Sequence, residues 1–256
     1  MNHITSTNNQ QVKDWKKLLT RREREKKHRY LIEGYHLVEE ALQFSADKVE
    51  NIMVREDVLE EQDFIALNVD PNVLIVLSED VAKEISDTET SQGIYAEMII
   101  EKQTFPREIT GPFLLVDAVQ DPGNVGTMIR TADAAGFQGV FLGKGTVDLY
   151  NSKTIRAAQG SHFHLEIYEG TLEEFMIEFK SNGYPILATA LNMEAISYKE
   201  LNYNTPFALT VGNEGAGIRP ELLGFIDQNV YIPMKGQAES LNVAIAASIL
   251  MFHLNE

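Results

Sequence analysis

From residue 112 to the end of the chain, short apolar runs alternate with segments of helical periodicity. The apolar runs predict buried strands: PFLLVD, GVFLG, HFHLEIY, PILATA, PFALTVG and NVYIP. The periodic segments predict helices: NVGTMIRTADAAG, NSKTIRAAQG, LEEFMIEFKSNG and the stretch from Leu241. This alternation favours an α/β fold with a mostly parallel sheet and helices on both faces. Ligands of such sheets bind at the carboxyl ends of the strands.

The region before residue 105 has a less regular pattern and predicts a smaller α/β unit. Helical spacing covers residues 33–44 and 78–86, and NIMV, NVLIVL and GIYAEMII predict strands. The polar segment EKQTFPREITGP follows and contains two prolines, which makes it the best linker candidate. We therefore predict one domain over residues 1–105 and a second over residues 111–256.

Charge is distributed unevenly along the chain. The net charge is −16, yet the first 36 residues hold nine Lys and Arg against four Asp and Glu. Residues 13–29, called the basic arm below, are able to engage phosphate because screening confines electrostatic fields to about 10 Å. A solvated helix with mixed charges explains the same pattern. Trp15, inside the arm, either stacks on a base or anchors the arm to the first domain.

Several classes of protein are disfavoured by composition. The absence of cysteine rules out disulfides and thiolate metal sites and suits a reducing cytoplasm. The N-terminus has no apolar segment typical of a signal peptide, and the longest apolar run, residues 243–252, is too short to span a bilayer. His162 and His164 lack metal-ligand neighbours in the sequence. We expect a soluble cytoplasmic protein with no membrane segment and no metal.

The first loop that follows a predicted strand is VDAVQDPGNVGTMIRTADAAGF. It has strong turn chemistry, and Asn124 is a candidate N-cap for the next helix. Arg130 lies almost two turns into that helix, among mostly apolar residues. An ordinary strand, turn and helix with an exposed Arg130 accounts for this pattern too. The dinucleotide fingerprint G-x-G-x-x-G is absent.

The second loop, LTVGNEGAGIRPEL, contains Gly212, Gly215 and Gly217 directly after a strand. Three glycines so close together predict positive φ angles or a backbone pressed against a ligand. A tight turn is the alternative, although a turn requires only one glycine. Glu214 lies in the middle of the loop, and Pro220 suits the first turn of a following helix.

The third loop and the last helix form the stretch IPMKGQAESLNVAIAASILMFHL. Ser240 is the predicted N-cap of a helix that begins at Leu241. This helix is apolar on nearly every side, which is typical of a helix buried on every side. At the end of a chain, such a helix predicts that part of its covering surface comes from another subunit.

Together the three loops carry an ordered set of motifs. These are N-x-G-x-x-x-R-T at 124–131, V-G-N-E-G-x-G at 211–217, and I-P-M at 232–234 with S-L-N-V at 240–243. The set resembles the three motifs of the SpoU (TrmH-type) RNA 2′-O-ribose methyltransferases of the SPOUT class. Upstream, YLIEGYHLVEEAL and LSEDVAKEIS…QGIYAEM resemble the substrate-binding domain, similar to ribosomal protein L30e, that precedes the catalytic domain in many members. The resemblance covers nearly the whole chain.

The resemblance implies a C-terminal trefoil knot that holds S-adenosylmethionine, mainly through backbone groups. By position, Gly212, Ile232 and Leu241 look like the residues whose backbone cradles the adenine and ribose. Val211, Gly217 and Met234 are the further expected cofactor-binding residues.

The implied chemistry is an in-line displacement at the sulfonium methyl group, with a ribose 2′-OH held about 3 Å away. Arg130 looks like the catalytic arginine of the family. An arginine is ordinarily a poor base because its pKa exceeds about 12, so phosphate binding and alkoxide stabilisation are the preferred role, with proton abstraction as the alternative. The other expected catalytic residues are Asn124, Glu214, Ser240 and Asn242. Of these, Glu214 is expected to orient Arg130 or a neighbour.

A 2′-OH target implies RNA, and the two-domain layout favours rRNA over tRNA. Members of the family act as homodimers through the last helix, which fits its apolar surface. The basic arm would then make the first contact with RNA. The alternative is a non-catalytic RNA-binding or ribosome-assembly factor that retains the fold. A metabolic enzyme with a doubly wound nucleotide-binding fold is disfavoured by the missing glycine fingerprint. The sequence does not identify the modified nucleotide.

Overall fold

The computed structural model describes residues 2–101, 108–189 and 194–255. Within these ranges the chain forms two compact units, residues 2–101 with Tyr150–Phe163, and residues 108–149 with 164–255. The sequence assigned residues 150–163 to the second domain, whereas Ile155 is buried in the core of the first unit. This apolar side chain explains why the segment joins the first unit. The boundaries 1–105 and 111–256 stay a prediction.

The elements are numbered in chain order. The strands are β1 (Asn2–Ile4), β2 (Arg29–Glu33), β3 (Val49–Arg55), β4 (Leu74–Leu77), β5 (Ile94–Ile99), β6 (Phe113–Val116), β7 (Gly139–Gly143), β8 (Glu166–Gly170), β9 (Ile186–Thr189), β10 (Ile196–Ser197), β11 (Ala208–Val211) and β12 (Gln228–Tyr231). The α-helices are α1 (Gln10–Lys17), α2 (Arg21–Lys27), α3 (Tyr35–Phe44), α4 (Gln62–Ala66), α5 (Glu79–Ile85), α6 (Pro122–Ala134), α7 (Ser152–Ala158), α8 (Leu172–Ser181) and α9 (Val243–Leu254). Short 3₁₀ helices cover Ala46–Lys48, Glu56–Val58, Ser161–Phe163, Tyr198–Glu200 and Pro220–Phe225.

The first unit contains a five-stranded mixed sheet in the order β1-β4-β3-β5-β2. Strands β1 and β3 run parallel to β4, and β5 runs antiparallel to both β2 and β3. The basic arm folds as α1 and α2, and Val12 and Trp15 of α1 are buried in this unit. The indole Nε1 of Trp15 donates a hydrogen bond to Glu97 Oε2 at 2.9 Å. Trp15 therefore anchors the arm, the second of its two predicted roles.

The second unit contains a seven-stranded sheet in the order β10-β12-β9-β11-β6-β7-β8, in which every described pair runs parallel. Phe113 and Leu115 of β6 pack with Phe175 of α8 in one apolar cluster. Leu114 and Val116 alternate onto the opposite face and are also fully buried. Both faces of the sheet are therefore covered, as predicted for this fold class. The trefoil knot stays a prediction.

One predicted strand begins later than expected. HFHLEIY starts with the 3₁₀ helix Ser161–Phe163, and the strand itself, β8, begins at Glu166. Gln159 and Gly160 have φ values of 50° and 90°, so the chain turns after α7 before it can extend. His164 consequently lies outside the strand, and its Nδ1 is 2.8 Å from Asp133 Oδ2.

Within the described ranges, no helix has the length and apolar character needed to cross a membrane.

Candidate active site

The three predicted loops leave the sheet at one edge. Strand β11 lies between β6 and β9, and β12 lies on the other side of β9. All four strands are parallel, so their carboxyl ends meet at the same edge. The loops at residues 117–121, 212–219 and 232–242 follow β6, β11 and β12 there. This placement agrees with the expected position of a ligand site.

The N-terminus of α6 is capped by Asp121, so the prediction that Asn124 caps it is wrong. Asp121 Oδ1 accepts a hydrogen bond from the backbone N–H of Asn124 at 2.7 Å, and Pro122 occupies the first helical position. The cap lies three residues earlier than predicted. The side chain of Asn124 is thereby free to reach other loops.

The N-terminus of α9 is capped by Asn242, so the prediction that Ser240 caps a helix from Leu241 is also wrong. Helix α9 begins at Val243, and Asn242 Oδ1 accepts from the backbone N–H groups of Ala244 at 2.9 Å and Ile245 at 3.3 Å. Serine and asparagine are comparable caps, so residue preference alone does not distinguish the two positions.

A directed chain of hydrogen bonds joins the three loops. Asn124 Nδ2 donates to Glu214 Oε1 at 2.7 Å, and Asn242 Nδ2 donates to Asn124 Oδ1 at 3.0 Å. The orientations are mutually determined, because an ionised carboxylate only accepts and the Oδ1 of Asn242 is occupied by the helix cap. The carboxylate of Glu214 is thus held by Asn124, which lies six residues before Arg130 on the same helix.

The structure tests one of the two predicted conditions for the glycines of the second loop, a positive φ angle, and Gly217 meets it. Gly217 has φ 70°, a left-handed conformation that favours glycine. A Cβ on Gly212 would lie 2.3 Å from the backbone carbon of Gly217. Asn213 and Gly217 also exchange backbone hydrogen bonds at 3.0 and 2.9 Å. The loop therefore folds tightly back on itself at its base.

A cavity of about 450 Å³ lies between the second and third loops. Its volume falls within the ~300–1,000 Å³ typical of small-molecule sites. The predicted residues that line it are Gly212, Glu214, Gly217, Ile232, Met234, Ser240, Leu241 and Asn242. The sequence had not singled out Thr189, Asn213, Val230, Tyr231, Glu239, Val243, Ala246 and Leu250. Asn213 and Val243 lie within the motifs at 211–217 and 240–243, and Glu239 adjoins the second of these, which was the available signal for the three.

Comparison with known proteins assigns the chain to a family. A profile of the SpoU rRNA methylase family matches residues 111–252, and a profile of the MRM3-like substrate-binding domain matches residues 9–96. The chain belongs to the SpoU rRNA methylase family. Relatives of this SpoU protein include the 23S rRNA (guanosine(2553)-2′-O)-methyltransferase RlmP of Bacillus subtilis, 48% identical over 99% of both chains.

Solved structures of similar proteins match nearly the whole chain. An AdoMet-bound rRNA methyltransferase from Sinorhizobium meliloti is 30% identical, with a TM-score of 0.86, and the match covers 98% of this chain and 96% of that one. An RNA 2′-O ribose methyltransferase is 34% identical with a TM-score of 0.82, and the match covers 98% and 97% of the two chains.

Three of the predicted SpoU site residues lie outside the cavity lining. Arg130 is exposed on α6, and the described residues offer its guanidinium no hydrogen-bond or ion-pair partner. Asn124 reaches the lining only through Glu214 and Asn242. Val211 is fully buried at the end of β11. Their roles stay predictions.

One partly buried ion pair beside the SpoU motifs was not predicted. Asp117 is fully buried, and its Oδ1 accepts a hydrogen bond from Arg219 Nε at 2.6 Å. Burial alone lowers the pKa of Arg219, but the hydrogen bond and charge of Asp117 outweigh burial and raise this pKa overall. The sequence signal was an acidic residue directly after a buried strand.

Helix α9 of this SpoU protein is not buried on every side. Ile245 and Phe252 are 53% and 52% exposed, whereas Ala247, Leu250 and Met251 are buried. Because the sequence predicts that another subunit covers part of this helix, burial on all sides stays a prediction. The exposed residues form an apolar stripe along one side of the helix.

Proposed function

We propose that this chain transfers a methyl group from S-adenosylmethionine to a ribose 2′-OH of rRNA. The observation that carries the proposal is the convergence of the three loops on one cavity, with Asn124, Glu214 and Asn242 joined by hydrogen bonds. Family membership and the AdoMet-bound relative give the cofactor and the class of reaction. We place the reaction in the cytoplasm.

The cavity suits S-adenosylmethionine in charge as well as in volume. Glu214 and Glu239 contribute carboxylates, and the lining contains no Lys or Arg among the described residues. Such a lining complements a ligand with a sulfonium and an ammonium group, and it does not suit a nucleoside triphosphate. Val230 and Leu250 provide apolar wall, and Gly212 and Gly217 leave backbone groups accessible.

Different residues bind the cofactor and stabilise the charge that develops on the substrate. When bound, S-adenosylmethionine supplies the activated methyl group on its sulfonium. The loop backbone at Gly212, Ile232 and Leu241 holds the cofactor. Arg130, with no internal partner in the described part of the chain, is available to bind the RNA phosphate and to stabilise the developing alkoxide. Asn124 is hydrogen-bonded to both Glu214 and Asn242, and these two bonds hold the second and third loops against α6.

The Bacillus subtilis relative, 48% identical over 99% of this chain, is named for methylation of a guanosine of 23S rRNA. We therefore propose 23S rRNA as the substrate, and a guanosine as the first target to examine. Mapping 2′-O-methyl groups in RNA from cells with and without the gene tests this directly. Loss of a single guanosine methylation in 23S rRNA supports the proposal, and an unchanged rRNA map with a lost tRNA methylation overturns the choice of rRNA.

The basic arm offers a smaller RNA-binding surface than its sequence suggests. Lys17 and Lys27 both pair with Asp14, and hydrogen bonding by Lys27 lowers the pKa of the Asp14 carboxyl to about 2. Arg24 is buried and donates to the carbonyl of Leu18 at 2.8 Å. Further pairs neutralise Lys16, Arg21 and Arg29.

Three exposed cations of the arm have no acidic partner among the described residues: Lys13, Arg22 and Lys26. Arg22 and Lys26 are four residues apart on α2 and therefore face the same side. We propose that these three side chains make the arm's contacts with RNA phosphate.

The triple variant Lys13→Ala, Arg22→Ala, Lys26→Ala is expected to bind rRNA fragments more weakly and with less salt dependence. Each lost phosphate contact should reduce the slope of log affinity against log salt by about 0.7–0.9. Fluorescence anisotropy over a series of salt concentrations measures this slope. S-adenosylmethionine affinity should not change.

A matched control removes three paired lysines, Lys16, Lys17 and Lys27, by substitution with alanine. Both triple variants change the net charge equally, so only direct contacts distinguish them. The contact assignment is wrong if both variants reduce the slope to the same extent.

We also propose that the protein is a homodimer assembled through α9. Ile245 and Phe252 are large apolar side chains left about half exposed on this helix, seven residues apart and thus on one face. Large exposed apolar side chains that share one face of a helix are typical of a subunit interface. A second copy of the chain would cover this face and restore the complete burial that the sequence pattern predicts.

The variant Phe252→Glu is expected to convert a dimer to a monomer, because a buried carboxylate without a partner opposes association. Analytical ultracentrifugation gives the mass in solution. Ile177→Glu is the control, since Ile177 is 57% exposed on α8, away from the proposed interface. A wild-type protein that sediments as a monomer at micromolar concentration would exclude the proposal.

A further inference from the structure

The buried residue Asp117 holds both ends of residues 212–218 of the second loop, a segment called the glycine loop below. Its backbone N–H donates to the carbonyl of Val211 at 2.8 Å, immediately before the loop. Its carboxylate accepts from Arg219 immediately after the loop, from the backbone N–H at 2.8 Å and from Nε at 2.6 Å. One residue on β6's loop thus closes the glycine loop at its base.

The residue next to Asp117 adds a further attachment. Ala118 has φ 55°, a conformation uncommon for a residue other than glycine, and its carbonyl accepts from Asn213 Nδ2 at 3.0 Å. Asn213 Oδ1 in turn accepts from the backbone N–H groups of Gly215 and Ala216 at 2.9 and 3.1 Å. Hydrogen bonds to Asp117 and Ala118 therefore hold the base of the glycine loop, and hydrogen bonds to the Asn213 side chain hold its tip.

Neither Asp117 nor Arg219 lines the cavity, whereas Gly212, Glu214 and Gly217 of the glycine loop do. The ion pair therefore does not contact a ligand bound in the cavity. Its carboxylate is fully buried, and a buried charge is tolerated only when it is paired and hydrogen-bonded. The pair and the loop conformation consequently stabilise each other: without Arg219 in place, Asp117 would lose its partner.

We propose that Asp117 and Arg219 are positioning residues that keep the glycine loop in the conformation that binds S-adenosylmethionine. This inference rests on the proposed function, since it assigns that cofactor to the cavity. Apparent affinity falls in proportion to the fraction of molecules whose loop is competent to bind. The pair thus sets cofactor affinity, while the chemical step depends on Arg130 and the RNA.

The test compares steady-state kinetics of the full-length wild type with those of Asp117→Asn. Asparagine has nearly the same shape but presents one acceptor oxygen where the carboxylate presents two. The KM for S-adenosylmethionine is expected to rise about tenfold or more, and kcat at saturating cofactor is expected to stay within about threefold. Hydrogen exchange at the amides of Gly215 and Ala216 should accelerate in parallel.

A merely structural role gives a different result. Partial unfolding reduces the amount of active enzyme, and so lowers apparent kcat without raising KM. Arg219→Lys keeps the charge and the backbone N–H bond, so its KM should lie between those of the wild type and Arg219→Ala. If Asp117→Asn fails to fold, the KM values of Arg219→Lys and Arg219→Ala test the proposed positioning role instead.

Glu173→Gln is the matched control, because Glu173 Oε1 lies 4.0 Å from Arg219 Nη1, too far for a hydrogen bond. Its KM should equal that of the wild type. Folded Arg219 variants with wild-type KM, or with only kcat reduced, overturn the inference. A wild type that neither binds S-adenosylmethionine nor methylates RNA instead overturns the proposed function, so the two failures are distinguishable.

Discussion

Arg130→Ala is expected to reduce the rate of methyl transfer to rRNA by roughly 100- to 1,000-fold, the usual effect of removing one group that stabilises transition-state charge. Arg130 is exposed on α6, and the described residues contain no acidic group that pairs with it. Its guanidinium is therefore available to the substrate. The measurement is single-turnover transfer of labelled methyl to rRNA at saturating cofactor. Calorimetric affinity for S-adenosylmethionine should change little, because Arg130 does not line the cavity.

Two further variants sharpen this result. Arg130→Lys keeps a positive charge but loses the planar fork of donors, so partial activity is expected if the arginine binds phosphate and stabilises the alkoxide. A base at this position would instead make the rate of the lysine variant rise with pH through the pKa of lysine, about 10.4. Lys83→Ala, an exposed cation paired with Glu79 in the first unit, controls for net charge. Full activity in Arg130→Ala would remove Arg130 from the mechanism.

Gly212→Ala is expected to weaken S-adenosylmethionine binding by about tenfold or more, a loss of roughly 1.4 kcal/mol or more. The added Cβ would lie 2.3 to 2.5 Å from backbone atoms of Gly217 and Ile218. A backbone overlap cannot be relieved by a side-chain rotation, so the loop must open at its base. Isothermal titration calorimetry measures the change in affinity, and thermal unfolding establishes that the variant is folded.

Two other glycines, one in the second loop and one in the third, provide matched controls. A Cβ on Gly215 would have Asn213 Oδ1 as its nearest neighbour, at 3.6 Å, and a Cβ on Gly236 would meet nothing within 4 Å. Neither glycine has a positive φ. Gly215→Ala and Gly236→Ala should therefore bind the cofactor within about twofold of the wild type. Equal losses in all three variants would show that general loop mobility, not the approach of Gly212 to Gly217, governs affinity.

Much of the fold was predictable because its elements carry strong local patterns. Buried runs such as that of β6 predicted central parallel strands. The three glycines after β11 predicted positive φ angles or a backbone pressed against a ligand, and the structure shows a positive φ at Gly217 and a close approach between the backbones of Gly212 and Gly217. The helix boundaries were less predictable. Both Ser240 and Asn242 are good caps, and the choice depends on the bond between Asn242 and Asn124, which are 118 residues apart.

The remaining features depend on contacts between distant parts of the chain. The Asp117–Arg219 pair joins residues that are 102 positions apart, and no local pattern relates them. Likewise, the basic arm has nine positive charges in its sequence, but the partners of Lys16 and Arg29 are Glu84 and Glu50, which lie outside the arm. Local sequence therefore gives the identity of charged groups, and only tertiary structure shows which of them are available to a ligand.

The most direct test of the proposed function uses purified protein, methyl-labelled S-adenosylmethionine, and separate preparations of 23S rRNA and tRNA. After transfer, the RNA is digested and the position of the label within the nucleotide is determined. We predict label on the ribose 2′-oxygen of a single rRNA nucleotide, none on tRNA, and almost none with Arg130→Ala. Label on a base, or no label on either RNA, would contradict the proposal that this chain is an rRNA 2′-O-methyltransferase.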